Sequence, residues 1–440
     1  MKRLPRGILL FLLVFGAASI LELPRQDPGA KLCANASDKD GSAIPYSLLE
    51  GYAMQSGMSS LTQTSSDECE PPEDVPSDQV ARYRDACAKI VQAMKDWQPP
   101  ARANVTIGTA VGALKFAQQV DATIRKEIQV LLDQAKMDFL TFSFPYSSVV
   151  NDWQANRVLY QEYVNLTRQK GAEVWIYSND EMDLEVTWSQ FKTVQDKYID
   201  SVMSLRPDFV AVSDPWLPWY PGSRITDKAS VKVDQVVELV RDTASRCKGI
   251  DPNVRVYIGV AATPSGLYPQ SLQLLNALLG APEVDGWCMY MFSVDELKEA
   301  SPLADQWVAQ GKQICLGNLQ YATQNRKDYV DNPWVDHLAA KYIDACVVYC
   351  RYKDIPRFGW AFSTFLFNMK QTFDEGIFGY RTLMGLSLEK WARQNKGLGM
   401  PEYPYPVPET GIRLRKWHLG IILFAAVVVL IAAFGRRARK

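Results

Sequence analysis

The chain has 440 residues, a formal net charge of −1 at pH 7, 22% charged residues and 11% aromatic residues. A nearly neutral chain has no general attraction to a phosphate backbone, so nucleic acid is excluded as a predicted partner. Its two histidines, His337 and His418, are too few for a His-rich metal centre, and neither ends a predicted strand. Ser-His-Asp catalysis is therefore not expected, and neither a metal nor a cofactor is predicted.

The N-terminus has the features of a secretory signal peptide. Three basic residues among the first six precede the apolar stretch 7–21, which has Ala17 and Ala18 near its end. This order of basic, apolar and small residues is typical of such signals. A start-anchor helix is the alternative, although the run is short for one. Residues 1–23 are thus predicted to be a signal peptide.

Residues 24–102 form an N-terminal elaboration with a pattern of its own. The stretch 62–78 is polar, acidic and rich in proline, which predicts a loop. Residues 77–97 carry apolar side chains at helical spacing, which predicts a helix with Ser77 as a candidate cap. Cysteines in an exported chain permit disulfides, and Cys33, Cys69 and Cys87 lie here, with no pairing assigned. The segment could either plug the bottom of the following domain or cover its mouth.

Residues 103–394 repeat one pattern eight times: a short apolar strand, a polar loop and an amphipathic helix. The strand starts are about 28 to 47 residues apart, as a strand-helix unit requires to return to a parallel strand. Near-continuous apolar strands such as residues 209–212 indicate burial on both faces. The pattern predicts an α/β fold, a closed (β/α)₈ TIM barrel. The predicted strands are 105–111, 138–147, 172–179, 207–214, 254–261, 284–292, 312–320 and 356–367.

The carboxyl ends of these strands carry carboxylates, amides and aromatic rings, and barrel enzymes place their chemistry there. Glycosidic cleavage needs two carboxyl groups, and sugars need fixed hydrogen-bonding groups beside aromatic rings. A carbohydrate or glycan ligand is therefore predicted. The predicted catalytic residues are Asp214, after strand four, and Asp180 and Glu181, after strand three. The predicted substrate-binding residues are Tyr146, Asn179, Trp216, Tyr290, Asn318, Gln320 and Trp360.

Several of these residues have a structural alternative. Asp214 precedes a proline and could cap the next loop, while Asp180 and Glu181 begin a polar loop in which solvated charge is common. Tyr290 and Trp360 could equally be core residues. Whether each of these residues has a catalytic or binding role therefore depends on where the barrel places its side chain.

Asp295 and Glu296 are further carboxylates beyond strand six. Their position predicts the first turn of the following helix, with Ser293 as its N-cap, because acidic side chains are favourable there. A role beside Asp214 at the mouth is the alternative.

The fourth strand resembles that of the large clan of retaining (β/α)₈ glycoside hydrolases, an apolar strand ending Asn-Glu-Pro. Here the sequence from Pro207 to Pro215 reads PDFVAVSDP. The resemblance covers the barrel and implies an acid/base at Asp214, a substrate-binding Tyr290, a nucleophile position at Asn318 and a sugar-stacking Trp360.

Two departures from the clan bear on mechanism. Asp214 stands where the clan has the acid/base Glu, and Asn318 stands where it has the nucleophilic Glu, although an amide cannot form the covalent intermediate. Catalysis would then be inverting, with Asp180 or Glu181 activating water, or assisted by the substrate's own acetamido group. A non-catalytic descendant that binds glycan or holds a surface assembly is the main alternative, and a barrel acting on a non-sugar small molecule is a third.

The C-terminus predicts a membrane anchor. Residues 395–416 include Pro-spaced sequence expected to form a stiff stalk, 417–435 are predicted to be a transmembrane helix, and 436–440 form a basic tail that should stay cytoplasmic. The sequence from Val407 to Gly411 (VPETG) resembles the LPxTG cell-wall sorting signal, so sorting is an alternative to the favoured plain anchor. The predicted location is the cell surface, with an extracytoplasmic barrel.

Overall fold

A computed structural model describes most of the barrel and the helix that precedes it. The described residues are 69–72, 75–112, 114, 121–178, 183–213, 217–220, 222–266, 268–319, 335–360, 366 and 382–402. The segments predicted to be the signal peptide, the transmembrane helix and the basic tail lie outside these residues, as does the VPETG sequence. Within the described ranges, no helix has both the length and the apolarity that crossing a membrane requires.

Eight parallel strands close into one barrel in chain order, because β8 pairs with β1 as well as with β7. Each strand lies inside the range predicted for it, so the predicted (β/α)₈ barrel is confirmed. The strands are β1 Thr106–Ala110, β2 Phe139–Phe142, β3 Glu173–Ser178, β4 Phe209–Ser213, β5 Arg255–Val260, β6 Gly286–Met289, β7 Gln313–Leu319 and β8 Arg357–Trp360.

The described helices alternate with the strands and pack their apolar stripes against them. The helix Trp188–Met203, for example, buries Phe191, Tyr198 and Val202 on one face. The helices are α1 Val80–Asp96, α2 Asp121–Gln129, α3 Tyr146–Val150, α4 Trp153–Gln169, α5 Trp188–Met203, α6 Val233–Ile250, α7 Pro269–Leu278, α8 Val294–Ala309, α9 Val335–Tyr352 and α10 Leu383–Gln394. A π-helical turn, Val130–Gln134, continues α2, and a 3₁₀ turn, Lys228–Ser230, precedes α6.

The second strand is shorter than predicted. It ends at Phe142, and the residues predicted as its last part include Pro145 and the start of α3. Proline has no N–H to donate to the strand ladder, and with φ −58° and ψ 137° Pro145 leads directly into the helix. The prediction of strand through residue 147 was therefore wrong at its C-terminal end.

Aromatic rings fill the lower part of the barrel interior. Phe139 stacks on Trp175 at 4.2 Å between ring centroids, and Trp175 stacks on Phe209 at 4.4 Å. The rings fit because a neighbouring strand has a glycine beside them: a Cβ atom at Gly108 would overlap the ring of Phe139. The barrel is thus a packed core at this level, and the space for a ligand lies above it, at the carboxyl ends of the strands.

The N-terminal helix α1 lies on the outside of the barrel, against α8 and α9. A disulfide between Cys69 and Cys87, with 5.6 Å between the Cα atoms, ties the preceding chain to it. The Lys298 ammonium lies 3.2 Å from the Asp96 carboxylate, joining α8 to the end of α1. The described part of the elaboration therefore lies beside the barrel, and the two positions predicted for the whole segment stay predictions.

The beginning of α1 also differs from the prediction. Its N-cap residue is Gln79, whose side chain makes no capping hydrogen bond, and the helix begins at Val80. Ser77, the candidate cap, lies in the turn before it.

Candidate functional site

Most of the predicted site residues lie outside the described residues. These are Asn179, Asp180, Glu181, Asp214, Trp216 and Gln320. Of Asn318 the structure describes the backbone in β7. Their roles stay predictions, and the evidence that bears on them is the backbone and side chains that surround these positions.

The register of β3 and β4 aligns the strand ends that precede the predicted catalytic carboxylates. Ser178 of β3 pairs with Val212 of β4 in the parallel ladder. Asp180 follows Ser178 by two residues, and Asp214 follows Val212 by two residues. The two segments that carry the carboxylates therefore leave neighbouring strands at the same level of the barrel.

The end of β7 contains a register irregularity. Leu316 pairs with Phe358 and Leu319 with Trp360, so three steps along β7 match two along β8. Such a bulge bends a strand and changes which residues face a given side, and bulges are over-represented next to active sites. This bulge includes position 318, where the resemblance to retaining glycoside hydrolases puts the nucleophile.

Two tyrosines and a cysteine form the upper layer of the barrel interior, nearest the mouth. The rings of Tyr177 and Tyr290 lie 6.2 Å apart, and the Tyr177 hydroxyl is 3.8 Å from the Cys288 sulfur. Burial raises the pKa of the Tyr177 phenol well above its ordinary value. Sequence reasoning had assigned no role to Tyr177, although it stands two residues before Asn179.

Tyr290, predicted to bind substrate, is 2% exposed and packs in this layer. Its hydroxyl lies over Gly259, in the space that a side chain would occupy there. A ring at this depth forms the base of a site at the mouth, below the level of the loops. Its contact with a ligand stays a prediction.

Trp360 and Tyr146 lie in the layer between the barrel and its helices. Trp360 is 1% exposed, and its ring meets Tyr342 of α9 edge-on at 6.5 Å. Tyr146, on α3, stacks on Tyr198 at 4.2 Å, and its hydroxyl donates a hydrogen bond to the Gln195 side chain. These are packing contacts, and the substrate-binding roles predicted for the two residues stay predictions.

The contact of Tyr146 extends to the end of β3. The Gln195 amide nitrogen also donates to the hydroxyl of Ser178, at 3.5 Å. Ser178 is the last residue of β3 and immediately precedes Asn179 and Asp180. A buried polar chain from α3 through α5 thus supports the strand end that leads into the predicted site.

Hydrogen bonds and an ion pair join the segments that follow β2, β3 and β4 at the mouth. The Asp183 carboxylate accepts hydrogen bonds from the Ser147 backbone N–H at 2.9 Å and from its hydroxyl. Glu185 lies 3.2 Å from the Arg224 guanidinium, and Val186 forms a bridge with Ile225. Both segments flanking the predicted catalytic positions are therefore held by described contacts.

Asp295 and Glu296 occupy the first turn of α8, as predicted. Ser293 is the N-cap, and its hydroxyl accepts from the Glu296 N–H at 3.2 Å. The Glu296 carboxylate accepts from the Phe292 N–H at 2.7 Å, and burial raises its pKa. Asp295 lies 3.8 Å from the Lys89 ammonium of α1. The capping interpretation is confirmed for this pair.

A cleft that sequence reasoning missed lies beside the mouth, between the starts of α6 and α7. Its volume is about 310 Å³, and its walls include Trp219, Tyr220, Lys228 and Gln270. The sequence signal for this cleft is the pair of adjacent aromatic residues Trp219 and Tyr220, shortly after strand four. In the described part of the chain, no cluster of three or more His, Cys, Asp or Glu side chains is arranged to hold a metal ion.

No protein family model and no curated protein matches the chain. Among solved structures, it is similar to virulence factor SghA of Agrobacterium tumefaciens in complex with its substrate analogue salicin. That match has a TM-score of 0.48 and 12% identity, covering 70% of this chain and 98% of the other.

It is also similar to GH5_18 from Streptomyces cattleya in complex with GlcNAc, with a TM-score of 0.48 and 11% identity, covering 67% of this chain and 81% of the other. A glucosidase from Croceicoccus marinus matches with a TM-score of 0.45 and 14% identity, covering 68% and 69%. The assignment of the barrel itself rests on the observed pairing of its eight strands.

Proposed function

We propose that this chain is a membrane-anchored, extracytoplasmic protein whose glycoside hydrolase-like barrel acts on or binds carbohydrate at the carboxyl ends of its strands. The main support for the proposal is the register of β3 and β4. The segments that carry Asp180 and Asp214 follow paired residues at the ends of these neighbouring strands. Most glycoside hydrolases cleave the glycosidic bond with a pair of carboxyl groups, and the segments of Asp180 and Asp214 supply such a pair from neighbouring strands.

In the proposed mechanism, Asp214 protonates the leaving oxygen, and Asp180 or Glu181 removes a proton from the attacking water. The products form with inverted anomeric configuration, for which the two carboxyl groups stand roughly 6.5–9.5 Å apart to admit the water. The paired strands supply adjacent starting points, and the contacts of Asp183 and Glu185 hold the rest of the β3 loop.

Asn318 favours this mechanism over double displacement. An amide cannot serve as the carboxylate nucleophile of a retaining enzyme. If the substrate carries an acetamido group, that group can act as the nucleophile in its place, with net retention. The anomeric outcome thus separates the two catalytic possibilities.

Asn318 also supports a second candidate function, which is non-catalytic binding of a glycan or a role in a surface assembly. A barrel that has lost its nucleophile can retain the rings and amides that hold a sugar. This fold hosts many functions, so the residues at the mouth decide between them.

The test is turnover by the purified full-length protein on a panel of aryl glycosides and oligosaccharides, followed by NMR of the anomeric protons. We expect Asp214→Asn to abolish turnover, with Asp234→Asn, an exposed position on α6, as the matched control. Binding without turnover in the wild type would support the non-catalytic candidate. Turnover that survives Asp214→Asn would remove Asp214 from the mechanism.

The membrane location has its own test. The apolar stretch 417–435 and the basic residues after it support an anchor whose tail stays cytoplasmic. Full-length protein should stay in the membrane pellet after alkaline washing, and a chain cut at residue 402 should not. Release of the intact protein, with cleavage between Thr410 and Gly411, would support cell-wall sorting instead.

A further inference from the structure

The cleft between α6 and α7 has the composition of a sugar-binding surface. Its volume of about 310 Å³ is at the lower end of the range of roughly 300–1,000 Å³ for small-molecule sites. Two adjacent aromatic residues, Trp219 and Tyr220, line it together with the polar side chains of Lys228 and Gln270. Aromatic faces that accept the apolar side of a ring, beside groups that bond its hydroxyls, suit a pyranose.

The indole of Trp219 is fixed in place before any ligand binds. Its Nε1–H donates a hydrogen bond to the Ser271 hydroxyl on α7 at 3.0 Å, and its ring packs partly against the main hydrophobic core. A ring held at its edge by one helix and from behind by the core loses little freedom when a ligand stacks on it. Such preorganisation lowers the entropic cost of binding.

Tyr220 is also held by an aromatic neighbour. Its ring lies 5.5 Å from that of Tyr268, tilted by 47°, so the β4 and β5 loops meet at this side of the cleft. Gln270, in the first turn of α7, contributes an amide with both a donor and an acceptor. The cleft therefore combines two fixed rings with an amide that can bond a hydroxyl in either direction.

The position of the cleft relates it to the barrel mouth. Pro218, Trp219 and Tyr220 lie on the segment that follows strand four, and Asp214 precedes Trp219 by five residues on the same segment. A glycan longer than one ring could thus reach from the mouth to the cleft.

We propose that this cleft is a secondary glycan subsite that holds one pyranose unit of an oligosaccharide on Trp219 and Tyr220, with Gln270 bonding its hydroxyls. The proposal rests on the proposed function, because it extends the same carbohydrate ligand beyond the mouth. Lys228, on the wall of the cleft, adds a positive charge that would favour a unit with an acidic substituent.

The experiment measures binding of cellotriose, xylotriose, mannotriose, chitotriose and trigalacturonic acid to the full-length protein by calorimetry and saturation-transfer NMR. It compares the wild type with Trp219→Ala, Gln270→Ala and Asp214→Asn. Trp153→Ala is the matched control, because Trp153 is a half-buried tryptophan at the start of α4, outside the cleft. Thermal unfolding of each variant checks that it is folded.

We expect Trp219→Ala to weaken binding of the preferred trisaccharide by about tenfold or more, as for removal of a central aromatic contact. Gln270→Ala should weaken it by a smaller factor, and Trp153→Ala should leave it unchanged. Gln270→Ala keeps the test valid if Trp219→Ala does not fold, because residue 270 is half-buried at a helix start.

Two outcomes would overturn the proposal, and they have different consequences for the proposed function. If a trisaccharide binds and both cleft variants match the Trp153→Ala control, the subsite is disproved while the carbohydrate function stands. If no trisaccharide binds or is cleaved by the wild type at millimolar concentration, the carbohydrate function fails and the subsite fails with it.

Discussion

The hydroxyl of Tyr290, on the segment that follows β6, lies over the backbone of Gly259 on β5, and a Cβ atom at residue 259 would overlap it. Because Gly259 has no side chain, the Tyr290 ring can occupy this position at the base of the barrel mouth. Tyr290 packs with Tyr177 and Cys288 in the upper layer of the barrel interior, and Gly259 lies against its ring.

We therefore expect Gly259→Ala to destabilise the protein by about 1–3 kcal/mol, as overpacked cores do, and to displace the Tyr290 ring. Urea unfolding of the purified protein measures the change. Gly280→Ala is the control, since a Cβ atom there meets no heavy atom within 4 Å, and it should stay within about 0.5 kcal/mol of the wild type. Equal stability of the two variants would contradict the observed close approach.

The barrel could be predicted from the sequence because the apolar pattern of its strands repeats eight times and has a physical cause. Eight apolar strands at regular spacing leave few other ways to bury both faces of a parallel sheet. The prediction failed where a single residue changed the local geometry. The second strand ends at Phe142, and Pro145 is the N-cap residue of α3. Nothing in the apolar pattern of residues 138–147 distinguishes the helix from the strand.

The site was less predictable because side-chain direction depends on register and packing. Trp360 and Gly359 are adjacent in β8, yet the glycine lies beside Phe139 in the barrel interior and the tryptophan meets Tyr342 of α9. Successive residues of a strand point to opposite faces of the sheet, so an error of one residue places a side chain on the wrong face. Likewise, Tyr146 was predicted at the end of a strand, whereas α3 turns it towards Gln195.

Gln195 gives a second prediction, because it bonds both Tyr146 and Ser178 and is 1% exposed. Gln195→Leu would leave two buried hydroxyls without this partner, and each unsatisfied group costs about 1–3 kcal/mol. We expect a loss of roughly 2–4 kcal/mol in urea unfolding and faster amide exchange at the end of β3.

The control is Gln92→Leu on α1, where the amide is exposed and bonds Asp96 at 2.7 Å. It should change stability by less than about 0.5 kcal/mol. A Gln195→Leu variant as stable as this control would show that the buried chain from Tyr146 to Ser178 does not support β3.

A third prediction concerns the ion pair at the amino-terminal end of the barrel. Arg357 of β8 donates two hydrogen bonds to Glu173 of β3, at 2.9 and 3.2 Å, and its guanidinium lies 4.6 Å from the centre of the Phe209 ring. Glu173→Gln would leave the largely buried cation without its counter-charge. Because Glu173 is itself 34% exposed, we expect a loss of about 2–3 kcal/mol, which is less than the ~3–5 kcal/mol for breaking a fully buried pair.

Unfolding in urea provides the measurement, with Glu70→Gln as the control. The pair of Glu70 and Arg84 is exposed at both ends, by 69% and 54%, and such pairs contribute about 0–1 kcal/mol. The double variant Glu173→Gln and Arg357→Met should recover part of the loss. Failure of the second substitution to recover any stability would show that the uncompensated charge is not the cause.

The last prediction is a pH dependence due to Asp336 at the start of α9. This carboxyl is 6% exposed and accepts hydrogen bonds from the N–H groups of Leu383 and Met384, the first residues of α10, at 3.0 and 3.2 Å. Burial raises its pKa to about 6, against the opposing effect of the two N–H groups. In the unfolded chain its pKa should be close to 3.9.

Since the folded state holds this proton more tightly, the contribution of Asp336 to stability is fully present below about pH 4 and is lost as the pH rises through about 6. Over that window the loss is up to about 3 kcal/mol, at ~1.4 kcal/mol per pH unit. Asp336→Asn should remove this part of the slope, because an amide does not titrate. The measurement is the difference in unfolding free energy between the two proteins from pH 4 to pH 7.5, in which the titration of other groups cancels. A difference that is constant across this range would mean that Asp336 titrates alike in the folded and unfolded chains.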